Sequence, residues 1–154
     1  MKPDEFIAQI APGAQECMRV TKIPASVTIA QAALESGWGR KAPGNNLFGI
    51  KADKSWTGPV VEFDTHEVIK GKSVPIVAKF RAYANWADCL VDRGKFLLTN
   101  KRYAPAFLHS DNAEQFTLAI AAAGYATDPN YAAKVIATIR ARKLADFDKL
   151  PEKS

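Results

Sequence analysis

Only one stretch of this sequence alternates in the manner of a β-sheet. Val60 to Ile69 and Val74 to Phe80 read as strands on either side of Lys70-Gly71-Lys72-Ser73, a hairpin by its turn chemistry. A lone pair of strands is marginal at best on its own, so the core of this chain has to come from helices.

Elsewhere the apolar residues recur at helical spacing. Phe6, Ile7, Ile10, Ala14, Cys17 and Met18 share a period interrupted at Pro12-Gly13, which predicts two short helices. Pro24 suits the first position of a helix that runs to about Ser36 and stops at Gly37. Lys41 to Trp56 is expected to be loop. Three helices follow the hairpin. Asn85 caps the first, with Trp86, Cys89, Leu90, Arg93 and Leu97 on one side. Asp111 and Glu114 form a capping box for the second, which closes at Gly124. Asp128-Pro129 opens the last, whose stripe is Ala132, Val135, Ile136 and Ile139. The expected architecture is α+β, a mainly helical body carrying one β-hairpin lobe, in a single domain over residues 1–154.

Composition narrows the function. The longest apolar run, Leu118 to Ala126, has nine residues, about half of the roughly 18 that a bilayer-spanning helix needs, so no stable membrane insertion is expected. Met1-Lys-Pro-Asp-Glu-Phe6 places two acids where a secretory signal carries basic and apolar residues, so work outside the cytoplasm calls for another exit route. The 21 lysines and arginines exceed the 16 acids, giving a net charge of +5 that favours an anionic partner. No block of like charge appears, so the excess reads as a solvated face rather than a nucleic-acid stripe. The two cysteines, Cys17 and Cys89, have no histidine at metal-ligand spacing. No metal or cofactor is expected, and both thiols read as free and buried.

There is no G-x-S-x-G elbow, P-loop or H-E-x-x-H, and His66 and His109 are isolated, which leaves carboxylates as the catalytic candidates. Glu35 stands out. It ends the small, apolar helix Ile29-Ala-Gln-Ala-Ala-Leu-Glu35, where Thr28, Gln31 and Glu35 align on one side. The negative end of the helix dipole and the neighbouring Trp38 both disfavour its charged form, the environment of a general acid.

Several motifs then converge. Gln31-Ala-Ala-Leu-Glu-Ser-Gly-Trp-Gly39, Asn46-Leu-Phe-Gly-Ile-Lys51, the Trp56 to Glu67 strand, Ala78-Lys-Phe-Arg-Ala-Tyr83 and Ala123-Gly-Tyr-Ala-Thr-Asp-Pro129 occur in the order seen in glycoside hydrolase family 73. The sequence resembles that family over roughly residues 20 to 145. The family includes domains of flagellar peptidoglycan hydrolases, Gram-positive autolysins and phage endolysins. The resemblance implies a lysozyme-like fold, with the hairpin flanking a substrate cleft, and hydrolysis of the β-1,4 bond after N-acetylglucosamine in peptidoglycan.

Residue by residue, the family's acid falls on Glu35, its second carboxylate on Glu67 and its tyrosine on Tyr125. Glu62 is the near rival of Glu67. Glu67 shares a strand face with Val61, Phe63, Thr65 and Ile69, whereas Glu62 lies opposite with Asp64 and His66. If Glu67 is structural instead, Lys79 or another hairpin cation is its expected cross-strand partner. Asp92 matches an aspartate implicated in flagellar members. Trp38, Phe48, Trp56 and Tyr83 are candidate sugar platforms, and Asn46 belongs to the same substrate-binding set. The second group could activate water, attack directly, or stabilise charge while the substrate's own acetamido oxygen attacks. The expected partner is bacterial peptidoglycan and the expected state a monomer, in a phage or prophage endolysin released through a holin. Two alternatives stay open: a muramidase or lytic transglycosylase on the same fold, and a wall-binding module that does not cut.

Overall fold

The computed structural model describes residues 1–150. Its centre is α2 (Ala25–Ser36), in which every residue from Ala25 to Ala33 is buried. A helix apolar around its circumference and built from small side chains can be enclosed on all sides by neighbours. Those neighbours are α1 (Pro3–Thr21), α4 (Ala113–Ala122), α5 (Tyr131–Ala141) and a short 3-10 segment, Leu144–Asp148. α3 (Trp86–Thr99) packs on α1, and a second 3-10 segment, Lys101–His109, packs on α4. The expected mainly helical body is present.

α1 is one helix of 19 residues, not the expected two. Pro12 forfeits a backbone hydrogen bond, but Ile7, Ile10, Ala11, Ala14 and Cys17 are buried on both sides of it, and this burial outweighs the local break. α1 and α3 also cross closely: a Cβ on Gly13 would stand 2.9 Å from Leu90 Cδ1, and one on Gly94 2.8 Å from Cys17 Sγ. With Phe6 and Ile10 in the core, residues 3–21 belong to the folded body.

β1 (Val60–Ile69) and β2 (Lys72–Arg81) pair antiparallel, from Val60 opposite Arg81 to Ile69 opposite Lys72. The turn is therefore the two residues Lys70-Gly71, tighter than the four expected. Both carry left-handed backbones, φ 51° and 76°, the geometry whose twist matches that of a hairpin. α4 is capped by Asn112, which accepts from Gln115 N at 3.1 Å, rather than by the expected Asp111. Glu114 is instead drawn to Arg140 on α5. α5 starts at Tyr131, behind Asp128-Pro129-Asn130.

The amino end of α2 lacks a local cap, because Pro24 has no side-chain acceptor. Asp148, 122 residues away, supplies one: its Oδ1 accepts from Ser26 N at 2.7 Å and its Oδ2 from the Ser26 hydroxyl. Asp148→Ala should lower stability by about 1 kcal/mol and Tm by about 2–4 °C, read by thermal melting at neutral pH. An unchanged Tm would show that the cap contributes nothing.

Both cysteines are buried. Cys17 Sγ lies 3.7 Å from the Leu90 carbonyl, and Cys89 Sγ accepts from Leu47 N at 3.4 Å. Burial pushes the Cys89 thiol up to about 11. Unfolded, unreduced protein should show both thiols reactive, and the folded protein should react slowly. No reactive thiol after unfolding would reveal a disulfide instead.

Candidate active site

α2 delivers Glu35 to the surface of the body one residue before its end, and Gly37, in a left-handed backbone at φ 57°, turns the chain away. Two cavities meet at Glu35. One, of about 310 Å³, lies under the hairpin and is lined by Lys41, Pro43, Asn46, Phe63 and Phe80. The other, of about 650 Å³, extends over the body and includes Phe48, Arg93, Tyr103, Tyr125 and Thr127. Glu35 and Gly49 line both. A carboxyl at such a junction sits where a long polymer running through both cavities would pass.

Glu35 is exposed to this cleft, and the protein walls beside it partly desolvate its carboxyl. That desolvation raises its pKa above the usual glutamate value, against smaller opposing effects of hydrogen bonding by Tyr131 and the charge of Arg93. Tyr131, at the start of α5, is buried and accepts from Gln31 Nε2 at 2.9 Å. Thr28, one helical turn below Gln31, is 3.4 Å from Arg93 Nη1. The polar row Thr28, Gln31, Glu35 visible in the sequence thus has Thr28 turned to α3 and Gln31 to α5, beneath the acid.

Tyr125 comes from the α4–α5 connection. Its ring contacts Tyr103 at 5.9 Å and Tyr131 at 5.6 Å, and burial raises its pKa. Phe48, 7% exposed, lies in the same wall with Arg93 over its ring at 4.7 Å. Asn46 spends its whole side chain on the loop. Its Nδ2 donates to the carbonyls of Ile50 and Arg81, and its Oδ1 accepts from Phe48 N and Ile50 N. It shapes the floor of the cleft rather than offering free polar atoms.

Five expected residues, Trp38, Trp56, Tyr83, Asp92 and Glu67, lie apart from Glu35. Trp38 lines neither cavity: it packs edge-on against Phe6 at 5.9 Å with Arg142 over its other side at 5.3 Å. Trp56, Tyr83 and Asp92 line a separate cavity of about 440 Å³. Asp92 is committed to protein partners, Arg81 Nη1 at 2.9 Å and the Tyr83 hydroxyl. Arg81, the last residue of β2, also donates to the Lys51 carbonyl and stacks on Trp56 at 4.9 Å. This cluster clamps the base of the hairpin to α3.

Glu67 is exposed on the hairpin and lines neither cavity at Glu35. The register puts it on the face of Phe63, the one turned to the cleft, while Glu62 sits on the other face opposite Lys79, with 3.9 Å between their charged atoms. The cross-strand partner expected for Glu67 therefore belongs to Glu62, and Glu67 stands opposite Val74. No group of three or more potential metal ligands occurs among the described residues.

The family model described as mannosyl-glycoprotein endo-beta-N-acetylglucosaminidase matches residues 11–144. The chain belongs to this glucosaminidase family. The glycoside hydrolase domain of FlgJ from Salmonella typhimurium superposes with a TM-score of 0.80 at 40% identity, covering 92% of this chain and 98% of that domain. The catalytic domain of the autolysin Auto from Listeria monocytogenes gives 0.83 at 33% identity, covering 94% and 86%. The peptidoglycan hydrolase FlgJ of Vibrio cholerae is 44% identical over 139 residues, 85% of this chain and 41% of that protein. The chain spans less than half the length of the curated FlgJ relatives it matches. The lysozyme-like glucosaminidase fold implied by the sequence motifs is the fold observed.

Among the residues that escaped the sequence reading of function are Tyr131 and Arg93. Tyr131 is the first helical residue of α5 and gives no local sign of packing against Gln31 and Tyr125 beneath the cleft. Arg93 did leave a signal, as the one charged member of the apolar side of α3.

Proposed function

We propose that this glucosaminidase hydrolyses the β-1,4 bond after N-acetylglucosamine in the glycan strands of bacterial peptidoglycan, with Glu35 as general acid. The observation that carries the reading is a carboxyl, raised in pKa by partial desolvation, at the meeting point of two cavities. Similar proteins are named for this chemistry, among them the FlgJ peptidoglycan hydrolases and the exo-glucosaminidase LytG of Bacillus subtilis. Protonated Glu35 gives its proton to the leaving oxygen as an oxocarbenium-like centre develops on the sugar. Tyr125, in the same cavity, orients the acetamido group or the incoming water. Glu67 serves as the second carboxylate when the hairpin bends over the bound strand. The excess positive charge draws the domain to an anionic wall.

The deciding experiment is mass spectrometry of fragments from digested and borohydride-reduced peptidoglycan. Reduced N-acetylglucosamine ends are expected. Reduced N-acetylmuramic acid ends would make the protein a muramidase, anhydro ends a lytic transglycosylase, and intact strands a binding module. The cellular part of the proposal is an endolysin released by a holin, acting outside the cytoplasm as a monomer. Expression in a bacterial cytoplasm with and without a holin tests it, and lysis without the holin would overturn that route.

A further inference from the structure

Among the described residues Arg93 is the largest fully buried side chain, at 1% exposure. A buried guanidinium needs an anion or a full set of acceptors to offset its lost hydration. Arg93 has neither. No carboxylate forms an ion pair with it among the described residues, and its Nε and Nη2 have no hydrogen-bond partner there. What it has is one long hydrogen bond to Thr28 and the faces of two rings, Phe48 at 4.7 Å and Tyr125 at 5.8 Å. The rings hold the guanidinium in place without neutralising it. It sits in the wall of the larger cavity, which Glu35 also lines.

We propose that Arg93 is a positioning residue for proton transfer: its fixed, unpaired guanidinium is the cation opposite which the Glu35 carboxylate forms. The proposal rests on Glu35 acting as the general acid of a glycosidase. While Glu35 holds its proton, as a general acid must before transfer, the buried positive charge is uncompensated. As the proton moves from the Glu35 carboxyl to the glycosidic oxygen and the C–O bond breaks, a negative charge appears on Glu35. Arg93 keeps its own protons throughout. The attraction therefore strengthens along the reaction coordinate, and because the guanidinium is already held by Phe48, Tyr125 and Thr28, no reorganisation is needed when the charge arrives. An ordinary ion pair would instead favour the carboxylate before reaction and leave Glu35 without its proton.

The other groups facing Glu35 do not duplicate this role. Tyr131 and Tyr125 are phenols kept neutral by burial. Lys41, in the hairpin-side cavity, is exposed to solvent, which screens it. In the larger cavity Lys51 is likewise exposed, and Arg81 is paired with Asp92 and Asp53. Glu67 is out on the hairpin.

The test is kcat/KM against pH on solubilised peptidoglycan for the wild type, Arg93→Met and Arg93→Lys, with thermal melts of each. Met keeps length and packing and removes the charge. Arg93→Met should lose roughly 10- to 100-fold in rate at the optimum, and its alkaline limb, set by ionisation of Glu35, should move up by about one pH unit. Arg93→Lys should keep the limb near its wild-type position while losing part of the rate, because a lysine preserves the charge but not the ring stacking. If Arg93→Met does not fold, Arg93→Gln, which can keep a hydrogen bond to Thr28, gives the same readout. A limb that stays in place in the uncharged variants overturns the inference alone, whatever happens to rate or Tm, and a limb that moves equally in Arg93→Lys assigns the shift to packing rather than charge and overturns it too. A wild-type chain inert on this substrate overturns the proposed function as well.

Discussion

Glu35→Gln should hydrolyse peptidoglycan more slowly than the wild type by a factor on the order of 10² to 10⁴, in a protein that melts at or above the wild-type temperature at pH 7. The first half follows from chemistry, since glutamine keeps the shape and hydrogen bonding of the side chain but has no proton to give. The second half follows from linkage. The folded protein binds the Glu35 proton more tightly than the unfolded chain, because desolvation raises its pKa. Stability is therefore lost as pH climbs from the ordinary glutamate value through the raised one. Glutamine has no such ionisation, so the variant escapes the loss at neutral pH, and the two proteins should converge below about pH 4, where Glu35 is protonated in both states. Activity and thermal melts against pH check both halves. A wild-type rate in Glu35→Gln removes the general acid and the proposed mechanism with it, and a large fall in Tm would make lost activity a folding defect.

The parts of this molecule that were legible in the sequence are those decided by local pattern. The enclosure of α2 shows in its small apolar residues, and the row Thr28, Gln31, Glu35 shows which side of it is polar. Local rules failed where distant contacts overrule them. Pro12 would break an isolated helix, but α1 is held on both sides of it by buried residues. The cap of α2 could not be seen, because Asp148 lies 122 residues from Ser26. Motif position also proved a poor guide to direction. Trp38 follows Glu35 by three residues, yet its left-handed backbone, φ 59°, turns it onto Phe6 and away from the cleft. Asp92 and Arg93 are adjacent, and α3 sends the first to the hairpin clamp and the second into the wall beside Glu35. Sequence spacing could place both on one helix but not choose their partners.

Glu67→Gln should reduce hydrolysis by roughly 10- to 100-fold, clearly less than Glu35→Gln, while Glu62→Gln should stay near wild type. The hairpin supplies the argument. On β1, Glu67 lies four residues beyond Phe63, about 13 Å farther along the strand, so it reaches a sugar at Glu35 only if the ribbon bends. A two-stranded ribbon clamped at its base by Arg81 and Asp92, with most of its length exposed, has little to resist such bending. The row it would bring down, with Val61, Phe63, Ile76 and Phe80 around Thr65, is mostly apolar, as expected for a surface that covers a sugar and excludes water. A group that acts only in the bent state should contribute less than an acid fixed on α2. Glu62 faces the other way, and its exposed pair with Lys79 is worth about 0–1 kcal/mol, so its loss should touch neither rate nor fold. If Glu67→Gln costs as much as Glu35→Gln, the hairpin must close in every turnover and Glu67 is the obligatory base or nucleophile. If Glu67→Gln is silent and Glu62→Gln is not, the carboxylate facing the substrate is on the opposite strand face, and the register no longer describes the working enzyme.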